Sequence, residues 1–188
     1  MHYNRLALLI VLSNAVYFLK TSFHTREEVL RIVLINFFFA MVVRQHYVIN
    51  LFFKIATSIP HSIPLKVRAF FGKVYHFGGI HVGGSISATL WYFYYITKIE
   101  KIDINFGISL ISFFVMVTII FFAFNRHQMH DIFERVTRFG SWVLQGLIIL
   151  QSILIFKELH GNLEGYFGSL EFFLLVLLTF NIILPWLT

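Results

Sequence analysis

Six apolar runs, each near the length that crosses a bilayer, take up most of this chain of 188 residues. They cover about 6–23, 29–43, 74–97, 106–124, 139–156 and 170–187, with short polar stretches between them. A helix needs about 20 consecutive apolar residues to span the hydrocarbon layer. The composition is 58% hydrophobic and only 13% charged, with a mean hydropathy of +0.78. A soluble domain carries about a quarter charged residues, so the excess is too large and too evenly spread for one core. The expected fold is all-α: a polytopic membrane helix bundle of about six transmembrane helices, forming a single domain over 1–188. Its first partner is the lipid bilayer. The 24 Phe suit lipid-facing positions. Tyr and Trp favour the interfaces, and the run WYFYY at 91–95 reads as an interfacial belt.

The polar stretches refine this reading. Thr25 followed by Glu28 has the spacing of a capping box opening the second helix. The segment 44–73 holds Pro60 and Pro64 with Arg44, Lys54, Lys66, Arg68 and Lys73. Its first half is expected to extend the second span or to lie flat as an amphipathic interfacial piece. Its Pro-x-x-x-Pro part is expected to be non-helical or kinked. The net charge of +6 resides in such loops. It therefore reads as a topology signal that also attracts anionic lipid, with no nucleic acid as partner. Arg5, the five cations of 44–73, Arg126, Arg135 and Arg138 fall on one side of the expected topology. Lys20, Arg26, Arg31, Lys98, Lys101 and Lys157 fall on the other. The bias puts both termini in the cytoplasm of a multi-pass protein of the cell (inner) membrane. The N-terminal stretch lacks a small-residue cleavage site and reads as a retained first helix. With no linker or appended soluble module, any soluble cofactor domain is expected on a separate chain. The lack of cysteine excludes disulfides, thiolate metal sites and iron–sulfur clusters.

The chemistry-bearing residues cluster at two places. HFGGIHVGG, at 76–84, opens the third run, and NRHQMHDIFERVTR follows the fourth. With even helix parity between them, His76 and His81 reach the same membrane depth as His127 and His130. In a helix, His127, His130 and Glu134 share one face. His76 and His81 are five apart and do not, unless the Gly78–Gly79 pair re-aims them. Gly78, Gly79, Gly83 and Gly84 suit close packing of helices, or a helix passing close to a flat cofactor such as haem. The conjunction favours a haem or metal site over isolated structural histidines.

The runs PLKVRAFFGKVYHFGGIHVGG and RHQMHDIFERVTRFGSW resemble the ferric reductase-like transmembrane family, in a divergent branch, over about 44–156. The resemblance covers the membrane domain only, without the flavin/NADPH domain. It implies a multi-helix membrane protein passing electrons through haem held by histidines on two helices. His81 would be the ligand on the third span, and His130, Phe133 and Glu134 would match the second motif. The deeper histidine of the third span is missing, and the second motif's later histidine falls at Thr137. An outer haem is therefore not expected.

The expected function is the membrane subunit of a redox system, an oxidoreductase if an enzyme. One haem b near the cytoplasmic face would be held by His81 and His130, with His76 and His127 in support. Asp131 or Glu134 would orient an imidazole. A separate cytoplasmic flavin reductase chain, or another enzyme, would dock on the basic loops. One alternative is a metal-dependent oxidase whose non-haem iron is held by His76, His81, His127, His130 and Glu134, acting on a lipid-soluble substrate. The other is a non-enzymatic membrane scaffold or transporter.

Overall fold

The computed structural model describes residues 2–22, 25–74 and 78–160, with a few helical positions between 172 and 179. Among the described residues there are seven helices and no strand: α1 His2–Lys20, α2 Arg26–Val42, α3 His46–Thr57, α4 Leu65–Val74, α5 Gly78–Thr97, α6 Ile104–Phe124 and α7 His130–His160. The all-α expectation holds. Six spans are not confirmed: among the described residues only α6 is long and apolar enough by itself to cross a membrane, with a mean hydropathy of 2.5 over its best window. Arg26–Val42 and Tyr47–Thr57 would make a second span only as a pair bent by 61°. Polar residues inside the other runs, among them Asn14 in α1 and the serines and glycines of α5, lower their apolarity. The sixth expected run, 170–187, lies almost wholly outside the described residues.

Local signals explain several boundaries. The capping box forms: the Glu28 N–H donates to Thr25 Oγ1 and the Thr25 N–H to a Glu28 carboxylate oxygen, each at 3.2 Å. Two N–H groups that would otherwise lack partners at the start of α2 are thereby satisfied. At α6, Asp103 is the N-cap and accepts from the Phe106 N–H at 3.0 Å. Segment 44–73 becomes a helical hairpin, α3 and α4, around a turn containing both prolines. Pro64 supplies the carbonyl for the first turn of α4, accepting from the N–H groups of Val67 and Arg68.

The chain divides into two compact units. One comprises Met1–Ser22 with Asn36–Ser87, the other Phe23–Ile35 with Ala88–Thr188. In the first, α1 and α2 are joined by Asn36, whose amide donates to Asn14 Oδ1 at 3.0 Å. In the second, the core includes Val29, Leu30, Val33 and Leu34 of α2, with Tyr92 and Tyr95 of α5, all fully buried.

On α6, in the second unit, the usual polarity of a helix is inverted. The buried stripe of α6 is Asn105, Ser109, Ser112 and Met116. The spacing of four, three and four keeps it on one face. Its outer surface carries Ile111, Phe114, Phe121 and Phe124, between 55 and 71% exposed. On α7, Gln145, Gln151 and Ser152 are buried, while Leu150 and Ile153 are exposed. Burying polar groups and exposing phenylalanine is costly in water. It is the favourable arrangement when the surrounding medium is hydrocarbon.

Candidate functional site

The glycine-rich start of α5 has a definite structural role. A Cβ on Gly83 would lie 2.9 Å from both the Ala7 carbonyl oxygen and Ile10 Cβ of α1. One on Gly84 would lie 3.0 Å from the Asn36 carbonyl oxygen and 3.1 Å from Ala40 Cβ of α2. Adjacent residues of α5 thus receive the backbones of two different helices. Consecutive side chains on a helix point about 100° apart, so a Gly–Gly pair can meet two neighbours at once. What comes close is α1 and α2. Gly78 and Gly79 form the first turn of the same helix, Gly79 being buried.

His81 sits one turn before this contact. Its Nδ1 lies 2.8 Å from the Ala40 carbonyl oxygen in the last turn of α2. The following N–H groups bond elsewhere: Val43 to Phe39, Arg44 to Met41 and Gln45 to Val42. His81 therefore satisfies a carbonyl that the end of the helix leaves over. A carbonyl only accepts, so Nδ1 carries the proton, and in the neutral ring Nε2 keeps its lone pair.

The second expected motif is not one helical stripe. Residues 125–129 form a turn after α6, and α7 begins at His130. The Asn125 amide donates to the Phe121 carbonyl at 2.9 Å, and the N–H groups of Gln128 and Met129 bond back to the Asn125 carbonyl. His127 therefore lies in the turn, off the helical face that His130 and Glu134 share, and all three are exposed. His130 Nδ1 stands 3.8 Å from the Asp131 carboxylate, both side chains largely in the open. His76 lies outside the described residues. At Thr137 the hydroxyl donates to the Phe133 carbonyl.

Among the described residues no three His, Asp or Glu side chains gather so that they could hold a metal ion. The described residues therefore do not fit the metal centre expected of His81, His127, His130 and Glu134. Nor do Gly83 and Gly84 leave a face open for a flat ring, because helix backbones already cover them.

A polar cluster that the sequence motifs did not indicate lies inside the second unit. Gln151 of α7 is fully buried. Its Oε1 accepts from the Tyr92 hydroxyl, and its Nε2 donates to Ser109 Oγ of α6 and, at 3.5 Å, to the Tyr95 hydroxyl. One amide thus links α5, α6 and α7. The rings of Tyr92 and Tyr95 stack, 5.6 Å between centroids. Ser109 donates its proton to the Asn105 carbonyl at 2.6 Å, which leaves its lone pairs for Gln151. This corrects the reading of WYFYY as a belt: Trp91, Tyr92 and Tyr95 face inward and only Phe93 is well exposed. The available signal was Gln151 itself. A lone amide in the run LIILQSILIF must turn to the interior to find partners. The cluster contains no imidazole or carboxylate to take up a proton. Its chemistry is that of a hydrogen-bonded lock.

Two curated proteins of Coprinopsis cinerea are similar to the chain. Adenylate-forming reductase 03009 is 34% identical over 169 residues, covering 82% of this chain and 16% of that protein. Adenylate-forming reductase 06235 is 30% identical over 201 residues, covering 98% of this chain and 20% of that protein. The chain spans a fifth or less of the length of these relatives. It matches no family model and no solved structure. These similarities overturn the expected function. The relatives are named as adenylate-forming reductases, which is unlike a membrane subunit passing electrons through haem. The lack of a metal-holding group among the described residues points the same way. The haem subunit gives way, and the non-haem metal oxidase with it.

Proposed function

We propose that this chain is the lipid-embedded helical module of an adenylate-forming reductase, holding that enzyme's activity at a membrane, with α6 as its span. The observation that carries the link to the reductases is similarity along nearly the whole chain, 82% and 98% of it, to two proteins of that name. The membrane part is supported by α6. Only 17% of its most apolar window is buried, whereas the core helix of a soluble protein would bury most of such a surface. The exposed phenylalanines of α6 then contact acyl chains, and the serine stripe faces α7. The chain's own residues supply the anchor and its internal lock. The adenylate-forming and reducing steps belong to the rest of such an enzyme.

The test replaces the matching segment of Coprinopsis cinerea adenylate-forming reductase 06235 with this chain. The chimera should keep its reductase activity and should sediment with membranes after alkaline carbonate extraction. Deleting the segment should release the activity into the soluble fraction. A chimera that is active but extractable by carbonate would remove the membrane role. A chimera that reaches the membrane without reductase activity, beside an active parent, would remove the link to the reductase.

A further inference from the structure

Charge is distributed very unevenly along the chain. Between Glu28 and Glu100 there is no Asp or Glu, yet the α3–α4 hairpin and its approach carry Arg44, Lys54, Lys66, Arg68 and Lys73. The same hairpin has exposed apolar surface. α3 turns Tyr47, Leu51 and Ile55 outward, 51, 57 and 49% exposed. Spaced four apart, they form one stripe, and the advance of about 100° per residue puts Lys54 at its edge, next to Tyr47. At the start of α4, Leu65 is 73% and Val67 42% exposed, on either side of exposed Lys66.

The hairpin also leaves the direction of α2. The two helices bend by 61° at the break between Val42 and Tyr47. The turn that follows is held in shape, because Arg68 Nη1 donates to His61 Nδ1 at 2.8 Å. Arg68 Nε, buried beside this bond, has no hydrogen-bond partner. A short helix with an apolar stripe, lysine at its edge and no acidic residue has the composition of a segment lying in the membrane interface.

We propose that the α3–α4 hairpin is an interfacial docking element for anionic phospholipid. Tyr47, Leu51, Ile55, Leu65 and Val67 enter the boundary between headgroups and acyl chains, and Arg44, Lys54, Lys66 and Arg68 bind the headgroup phosphates. The occupant is a lipid surface because the face combines apolar and cationic groups without one carboxylate. This inference rests on the membrane reading above and adds the lipid class that the hairpin recognises.

The chain contains no cysteine, so single labels are simple to place. The full chain, with a fluorophore at Leu51→Cys, Ile55→Cys or Phe114→Cys, is reconstituted into vesicles carrying a nitroxide high on the acyl chain. One set is phosphatidylcholine, the other rich in phosphatidylglycerol. Labels at 51 and 55 should be quenched by the lipid nitroxide, with partitioning stronger in the anionic vesicles by about fivefold per cation engaged. The combined Arg44→Gln, Lys54→Gln, Lys66→Gln variant should lose most of that difference. Arg68 is left in place because it holds the turn.

Quenching at 114 but not at 51 would overturn the hairpin proposal and leave the membrane reading standing. A label at 51 shielded from an aqueous quencher but not reached by the lipid quencher would also overturn it, since a protein partner then covers the stripe. Equal quenching in both lipids would overturn the anionic specificity. No quenching at 114, from either shallow or deep nitroxides, would remove the membrane reading itself.

Discussion

The backbone carbonyl of Ala7 lies where a side chain on Gly83 would have to go, so this position allows only glycine without movement of α1. Gly83→Ala should destabilise the chain by about 1–3 kcal/mol, the usual range for overpacking. At Gly146, in the interior of α7, an added Cβ would meet nothing within 4 Å. Gly146→Ala should therefore stabilise by about 0.5–1 kcal/mol, the helix preference of alanine over glycine. Unfolding in mixed micelles, followed by circular dichroism, reads both, and a common sign would contradict the packing assigned to Gly83. His81→Ala removes the donor from the Ala40 carbonyl and should cost about 1–3 kcal/mol. The motif HFGGIHVGG was legible as a place of close approach. What approaches was not legible, because glycine has no side chain to indicate its neighbour.

At the scale of elements, caps and turns were the most readable parts. Thr25 and Glu28 pair as their spacing requires, since a capping box is closed by residues three apart in sequence. Thr25→Ala should lower stability by about 0.5–2 kcal/mol, and hydrogen exchange should show the loss in the first turn of α2. The expected stripe His127-x-x-His130-x-x-x-Glu134 fails for an equally local reason. Asn125 closes α6 and starts a turn, and a three-residue spacing places residues on one face only inside a continuous helix. α6 itself was legible from its apolarity. Val117→Asp, near its middle and exposed, should disfavour insertion by about 2.5–3.5 kcal/mol. A glycosylation-based insertion assay checks this, and unchanged insertion would argue against α6 as a span.

At the scale of the molecule, the second unit sets buried polar side chains among its apolar core and turns the phenylalanines of α6 outward. Gln151 is a fully buried side chain reaching Tyr92, Tyr95 and Ser109. Gln151→Leu removes the amide that accepts from the buried Tyr92 hydroxyl and donates to Ser109, and should cost about 1–3 kcal/mol. Adding Tyr92→Phe should restore part of this loss, because both partners of one bond are then apolar. A double-mutant cycle that returned strict additivity would separate the two residues.

The sequence alone determined that the chain is helical and strongly apolar, that the Pro60–Pro64 stretch breaks the helix and that Thr25 caps the second helix. These follow from periodicity, composition and contacts within one or two turns. Tertiary structure decided which faces meet. It assigned Gly83 and Gly84 to α1 and α2, turned His81 to the end of α2 and turned Tyr92 and Tyr95 inward to Gln151. Tyr92 and Gln151 are 59 positions apart, and no local pattern encodes a partner at that distance. A histidine in an apolar run signals only that it needs a partner, and here that partner is a backbone carbonyl, which every residue possesses.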